Sequence, residues 1–164
     1  MKFLVDSMLG KLARFLRIFG YDTLYANDLI DFFKRDPVPD EQLLVFAKET
    51  NRFVITKDYL FYKSFANNAI YLKGEGVYNY LNQLKKNLGL NFKFNIQHAR
   101  CSICNSKMKK VEEISDIKHL ILQETFNQHN EFYQCLNSQC KKIYWKGSHI
   151  DDIEKRLSTN SITD

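Results

Sequence analysis

The chain has 164 residues, enough for one ordinary domain or for one domain with a small appendage that cannot build a large core of its own. Its 24 basic and 19 acidic residues give a net charge of +5, which permits a polyanionic partner without requiring one. Lys2 and Asp6 interrupt the only early apolar stretch, and no window approaches the roughly 18 apolar residues of a membrane span. We therefore expect a soluble, cytoplasmic protein with no membrane partner.

Strand and helix patterns alternate along the first 95 residues. The first strand is an apolar run at residues 3–5, and a helix is predicted over residues 8–19, ending at Gly20. Further strands are predicted over residues 21–26, 53–56 and 69–72, and further helices over residues 40–49, 59–65 and 77–88. This alternation implies an α/β fold with a parallel sheet and right-handed crossovers, forming a domain over residues 1–95.

Two of these strands end on an aspartate, Asp6 after the first and Asp58 after the strand at 53–56. The carboxyl ends of parallel strands are where open α/β sheets build their sites. If the two strands are neighbours, their carboxylates share one crevice. Like charges that close repel unless a proton or a cation lies between them, so the pattern suggests a divalent metal ion.

Asp40 is the best third acid, because it begins the helix that precedes the strand leading to Asp58. Mg²⁺ or Mn²⁺ prefers carboxylate oxygens and can activate water for attack on a phosphoryl group. Each acid also has an ordinary structural explanation: a helix N-cap for Asp40, a cap or turn for Asp6 and an Asx-turn for Asp58. Asp28 and Asp31 are possible further ligands, or residues of a solvated loop.

Four cations lie near this crevice in sequence: Lys11, Arg14, Arg17 and Lys57. Basic side chains beside an acidic metal site suit a substrate whose phosphates must be held while one of them is attacked. We therefore predict that they bind nucleic acid. The alternative is an ordinary charged helix face.

All four cysteines lie after residue 100, as the pairs Cys101–x2–Cys104 and Cys135–x4–Cys140. Two such pairs about thirty residues apart are typical of a tetrahedral, four-thiolate structural zinc site. The alternatives are a redox pair at Cys101 and Cys104, or unrelated buried cysteines. Since so short a segment buries little apolar area, bound zinc would supply most of its folding free energy, on the order of 10 kcal/mol.

The segment at 91–97 is polar and extended, as expected of a linker. Beyond it, cysteines, lysines and aromatic residues replace the strand and helix alternation. We therefore predict a second domain over residues 96–164, a zinc ribbon followed by a C-terminal helix and tail.

Five blocks of sequence resemble, in order, the Mut-seven C-terminal RNase domain family: FLVDSMLGKLARFLRIFGYDT, DEQLL, FVITKD, RCSICN and YWKGSH. The resemblance spans the chain from Lys2 to His149. It implies a PIN-like nuclease fold with a C-terminal zinc ribbon, and a metal-dependent ribonuclease whose acids correspond to Asp6, Asp40 and Asp58. It also implies that the four cysteines bind the zinc ion of the ribbon.

The preferred function is therefore an endoribonuclease that cleaves RNA with water activated by Mg²⁺ or Mn²⁺. A rival from another class is a non-catalytic RNA- or ribosome-binding zinc-ribbon protein. A third, a small-molecule phosphohydrolase, is disfavoured because the sequence has no glycine-rich phosphate loop.

Overall fold

A four-stranded parallel sheet forms the centre of the first domain. The computed structural model describes residues 1–159, apart from the side chains of residues 66 and 159. The strands are β1 (Lys2–Val5), β2 (Asp22–Tyr25), β3 (Phe53–Thr56) and β4 (Ala69–Tyr71). Their order across the sheet is β2-β1-β3-β4, so β1 and β3 are neighbours. The predicted α/β fold with a parallel sheet flanked by helices is confirmed.

Helices cover both faces of this sheet, because successive side chains of a buried strand point to opposite sides. The helices of this domain are α1 (Gly10–Ile18), α2 (Ile30–Phe33), α3 (Asp40–Glu49), α4 (Tyr59–Ser64) and α5 (Val77–Leu88). On one face, Val5 and Ile55 pack against α1 and α5. On the other, Leu4 and Val54 pack against α3 and α4.

The predicted bounds of α3, β3 and α5 agree with the structure, whereas the start of the first helix differs. Ser7–Leu9 forms a 3-10 turn, and the α-helix begins only at Gly10. Met8, the first residue of the predicted helix, lies in this turn and is exposed.

A smaller antiparallel sheet forms the second unit. Its strands are β5 (Met108–Lys110), β6 (Tyr133–Cys135) and β7 (Ile143–Tyr144), followed by the C-terminal helix α7 (Ser148–Thr159). A short helix, α6 (Gln123–Gln128), lies between β5 and β6. Among the described residues, the hydrophobic cluster of this second unit has three buried members, Ile117, Phe132 and Ile143. We call residues 100–147, which contain the four cysteines, the ribbon.

The two units are not joined by a free linker. Residues 91–97 form neither helix nor strand, as predicted, yet Phe92 is buried in the core of the first domain. Ile153 of α7 is buried in the same core, so the chain returns to the first domain after the ribbon. The division at residues 95 and 96 stays a prediction, and the predicted tail at 160–164 lies outside the described residues. Within residues 1–159, no helix has the length and apolar character needed to cross a membrane.

Candidate active site and metal centre

Asp6 and Asp58 are held together by one buried threonine at the carboxyl edge of the sheet. The hydroxyl of Thr56 donates to Asp6 Oδ2 at 2.6 Å and accepts from the backbone N–H of Asp58 at 2.8 Å. The backbone N–H of Asp6 also donates to the carbonyl of Ile55 at 3.0 Å. Since β1 and β3 are adjacent, the fold brings both aspartates to the same edge, as the sequence predicted.

The ordinary structural explanations apply to these aspartates unequally. Asp58 caps α4, since its Oδ1 accepts from the backbone N–H of Phe61 at 2.9 Å. Asp40 makes no capping hydrogen bond, because Pro39 occupies the cap position of α3 and Asp40 is the first residue of the helix. The reading of Asp40 as an N-cap is therefore wrong, and helix capping does not explain an aspartate at this position.

Asp40 carries the electrostatic signature of an acid placed among other acids. Partial burial, followed by the negative charges of Asp6, Asp58 and Glu41, raises the pKa of its carboxyl group. Like charges favour the protonated form, and a bound cation would reverse that preference. The negative charges of Asp6 and Asp58 therefore act on the carboxyl group of Asp40 across the edge of the sheet.

We expect the pKa of Asp40, followed by NMR titration of its carboxyl carbon, to fall when Asp58 or Asp6 is replaced by asparagine. Each replacement removes one of the charges that raise it. Because the pKa is raised on folding, Asp40 favours the folded state most at low pH. That contribution is lost as the pH rises through the folded pKa, beginning above the unfolded value of about 3.9.

Asp152→Asn is the matched control for this titration, since Asp152 pairs with Arg156 on α7 and is not among the charges acting on Asp40. It should leave the Asp40 titration where it is in the unmodified protein. If the pKa of Asp40 is the same in the Asp6→Asn and Asp58→Asn variants as in the unmodified protein, the aspartates do not interact.

A cleft lies between α1, β2 and the ribbon. It has a volume of 720 Å³, and its walls include the exposed cations Lys11 and Arg14, together with His149. Tyr25 connects the cleft to the acids: burial, then the charges of Asp28 and Asp6, raise the pKa of its hydroxyl, and Arg14 lowers it. That hydroxyl donates to the carbonyl of Ser7, the residue after Asp6, at 2.6 Å. Two predicted phosphate-binding cations therefore line a cavity next to the acids.

Arg17 does not belong with them. Its side chain is only 2% exposed and forms an ion pair with Asp28. It donates to the carbonyls of Thr23 at 2.9 Å, Ser102 at 3.1 Å and Ile103 at 2.8 Å. The guanidinium thus joins the first domain to the ribbon, which removes Arg17 from the predicted nucleic-acid-binding residues. The same ion pair occupies Asp28, one of the possible further metal ligands.

Lys57 points to the opposite face of the sheet from Thr56. It forms an ion pair with Glu75, which is 86% exposed, and its ammonium lies 5.6 Å from the centre of the Tyr80 ring. The hydrogen bond that Lys57 donates to Glu75, followed by its contact with Tyr80, raises the pKa of Lys57. The contact of Lys57 with nucleic acid stays a prediction. To bind a phosphate, the ammonium of Lys57 would have to break its ion pair with Glu75.

The four cysteines converge on one point. Their sulfurs all lie within 4.8 Å of one another, with Cys101 and Cys140 Sγ 3.7 Å apart and Cys104 and Cys135 Sγ 3.4 Å apart. All four are free thiols. Zinc–sulfur bonds of about 2.3 Å in a tetrahedron place the sulfurs about 3.8 Å apart, so the cluster could hold a metal such as zinc. Among the residues that the structure describes, no other group of histidine, cysteine or acidic side chains meets this distance, and the three aspartates are therefore more widely spaced.

Each cysteine pair lies on a tight turn. Asn105 follows Cys104 and Lys141 follows Cys140, and both have left-handed backbone angles, with φ of 64° and 47°. The N–H of Asn137 donates to Cys135 Sγ at 3.4 Å. Burial alone would raise the pKa of the Cys104 thiol, but its hydrogen bonding with Ser106 and with the neighbouring thiols lowers that pKa to about 6. The surroundings of Cys104 thus favour its thiolate, whereas burial raises the pKa of the Cys135 and Cys140 thiols.

Polar contacts dock the ribbon on β2, the edge strand of the parallel sheet. The side-chain oxygen of Asn105 accepts from the N–H of Thr23 at 3.0 Å, and its amide donates to Asp22 at 2.9 Å. Asp22 also pairs with Arg52 at 2.7 Å. Burial alone would raise the pKa of Asp22, but the hydrogen bonds from Arg52 and Asn105 bring it below its ordinary value. The ribbon thereby provides a hydrogen-bond partner for the edge strand β2, whose unpaired backbone groups could otherwise pair with a strand of another chain.

A cluster of tyrosines beside Asp58 was missed by the sequence analysis. Tyr59 and Tyr62 lie on α4 and Tyr71 ends β4, with ring centres 5.7 to 6.3 Å apart. We call these three residues the tyrosine cluster. The sequence carried a signal, since Tyr59, Tyr62 and Tyr71 lie close to Asp58 along the chain, but their convergence depends on the pairing of β3 with β4.

The fold and its site define a small parallel α/β protein with acids at the carboxyl edge of the sheet and an appended four-cysteine ribbon. The Mut7-C RNAse domain family matches residues 1–157, and the chain belongs to this family. Its RNase domain suggests a nuclease or another RNA-related function. No curated protein and no solved structure matched the chain.

Proposed function

We propose that this protein is a metal-dependent endoribonuclease with Asp6, Asp40 and Asp58 as its catalytic acids, on a PIN-like fold. The observation that carries the proposal is the coupling of the three aspartates. Thr56 ties Asp6 to Asp58, and both charges raise the pKa of Asp40. Membership of an RNase domain family supplies the substrate class.

The donor set fits a hard divalent cation. Three carboxylates at the edge of a buried sheet repel one another, and Mg²⁺ or Mn²⁺ with its own waters can bridge carboxylates that are not in direct contact. When bound, such an ion lowers the pKa of a coordinated water and offsets negative charge on the phosphoryl group. Thr56 holds the carboxylate of Asp6, and the backbone N–H of Phe61 holds that of Asp58. Asp40 adds a third negative charge from α3.

The basic cleft gives the RNA backbone a place beside the acids. Lys11 and Arg14 are exposed on α1 and line the 720 Å³ cavity, so their charges can pair with phosphates. Arg14 and Asp6 both act on Tyr25, so the cleft and the acids are adjacent. A strand held in the cleft by its phosphates would therefore reach the aspartates.

The ribbon in this proposal holds a structural zinc ion on Cys101, Cys104, Cys135 and Cys140. All four sulfurs are within reach of one ion, so no position is left for substrate. Free thiols at this spacing suit a reducing compartment, and we place the protein in the cytoplasm.

The test is cleavage of a labelled single-stranded RNA by the zinc-loaded protein with Mn²⁺ or Mg²⁺. We expect the Asp6→Asn, Asp58→Asn double variant to lose at least about a hundredfold in rate, because it loses the charges that hold the cation. Asp152→Asn, which removes an exposed acid on α7 that pairs with Arg156, is the matched control and should cleave normally.

Two outcomes would contradict the proposal. Equal cleavage by the double variant would mean that a contaminating nuclease does the cutting. Tight RNA or ribosome binding that survives the double substitution, with no cleavage by either protein, would instead support the non-catalytic binding module.

A further inference from the structure

Beside Asp58 the structure leaves aromatic surface uncovered. Tyr59 is 55% exposed and the next residue, Leu60, is 77% exposed. Tyr62 and Tyr71 are half-buried beneath Tyr59 and border a cavity of 470 Å³. Tyr62 packs partly against the core, but Tyr59 and Tyr71 belong to no core cluster. A single exposed apolar side chain is normal, whereas aromatic rings grouped around one cavity need a further explanation.

The tyrosine cluster lies next to the acids rather than elsewhere on the surface. Tyr71 is the register partner of Thr56, so the two residues are neighbours across the parallel pair of β3 and β4. In-register residues of a parallel pair point to the same face, and Thr56 donates to Asp6 from that face. Tyr59 directly follows Asp58, which caps its helix. The rings therefore continue the surface on which the aspartates lie.

The cavity side of the cluster carries positive charge, although Asp58 directly precedes Tyr59. Among the described residues, Lys73 is the one charged side chain that lines the cavity, and the ammonium of Lys63 lies 5.7 Å from the centre of the Tyr59 ring. Exposed aromatic rings with flanking lysines are the composition of surfaces that bind single-stranded nucleic acid, where bases stack and phosphates pair. A duplex cannot use such rings, because its bases are already stacked.

We propose that the tyrosine cluster is a base-stacking subsite for single-stranded RNA, with Lys63 and Lys73 as its phosphate contacts. The inference rests on the proposed ribonuclease function and deepens it, since it assigns a strand preference to the same site. RNA entering along α1 would be held on one side of the aspartates by the basic cleft and on the other by the tyrosine cluster. The nucleotide on the tyrosines is thus unpaired near the scissile bond.

The test measures RNA affinity in the Asp6→Asn, Asp58→Asn background, so that RNA is not consumed. Fluorescence anisotropy with a labelled single-stranded RNA should show about tenfold weaker binding for Tyr59→Ala with Tyr71→Ala, and several-fold weaker binding for each alone. Tyr59→Phe keeps the ring and should bind like the parent. Tyr59→Leu keeps apolar bulk without an aromatic face and should bind as weakly as Tyr59→Ala.

A duplex RNA of the same length provides the second arm, and its affinity should be unchanged by the tyrosine substitutions. An RNA with one abasic nucleotide, moved position by position, locates the stacked base. One position should weaken binding to the parent protein but add nothing in the Tyr59→Ala protein. Leu122→Ala, which truncates an exposed apolar side chain of the ribbon, is the control for a general loss of surface.

Equal single-stranded RNA affinity for the parent and the Tyr59→Ala, Tyr71→Ala protein would overturn the inference. Equal weakening of duplex binding would overturn it as well, because base stacking could not then be the cause. The outcome is separable from the fate of the proposed function. If RNA is never cut but binding depends on the rings, the subsite stands without catalysis; if RNA is cut normally and the rings have no effect on affinity, only the subsite fails.

Discussion

Removal of metal from the four-cysteine cluster is expected to unfold the ribbon. Besides two of the cysteines and Tyr133, the described ribbon buries Ile117, Phe132 and Ile143, which is too little apolar surface to hold a segment of this size. Bound zinc would supply on the order of 10 kcal/mol, so chelation should remove most of the free energy that keeps the ribbon folded.

The sole tryptophan of the chain makes this measurable. Trp145 packs against Phe132 and His129, with ring centres 6.2 and 6.0 Å away. A strong zinc chelator should shift its emission to longer wavelength, and added Zn²⁺ but not Mg²⁺ should restore it. Cys104→Ser should behave like the chelated protein. Metal analysis should find one zinc ion per chain, and an emission spectrum that is indifferent to the chelator would exclude a metal-dependent ribbon.

Replacement of Arg17 by methionine should cost about 3–5 kcal/mol in the free energy of unfolding. The side chain is buried, and its loss would leave Asp28 without its partner and three backbone carbonyls without their donor. Arg17→Lys should recover only part of the loss, because a single ammonium cannot reproduce a planar fork. Urea unfolding of the zinc-loaded proteins measures the difference.

Arg14→Met is the matched control, since Arg14 lies one turn earlier on α1 and is exposed. It should change the free energy of unfolding by less than about 0.5 kcal/mol, while weakening RNA binding. The opposite result, in which Arg17→Met retains stability and loses RNA affinity, would restore Arg17 as a nucleic-acid-binding residue.

The contrast between Arg14 and Arg17 shows that a local sequence pattern cannot predict which helical side chains a distant segment covers. Both cations lie on the polar arc of an amphipathic helix, and periodicity predicts solvent for both. Arg17 is instead covered by Ser102 and Ile103, residues more than 80 positions away along the chain. The ribbon docks on the side of α1 that carries Arg17, and the sequence of the helix alone does not indicate this contact.

The same distinction applies to the acids. Apolar runs that end on Asp6 and Asp58 placed both at the edge of a parallel sheet, because strand burial and strand ends are visible in local composition. The contact through Thr56 depends on β1 and β3 being neighbours, as does the effect of both charges on Asp40. Asp40 was chosen for its helix position, yet it is Pro39 that occupies the cap.

By itself, the sequence determined the order of the four parallel strands along the chain, the bounds of α3, β3 and α5, and the cysteine pairs that meet in one cluster. These follow from short-range rules: periodic burial, helix termini and ligand spacing. Only the tertiary structure decided which side of α1 faces the ribbon, how Asp22 and Asn105 close the edge strand, and where the tyrosine cluster forms. Those features arise from contacts between distant segments, whose free energy depends on surfaces that exist only after the chain has folded.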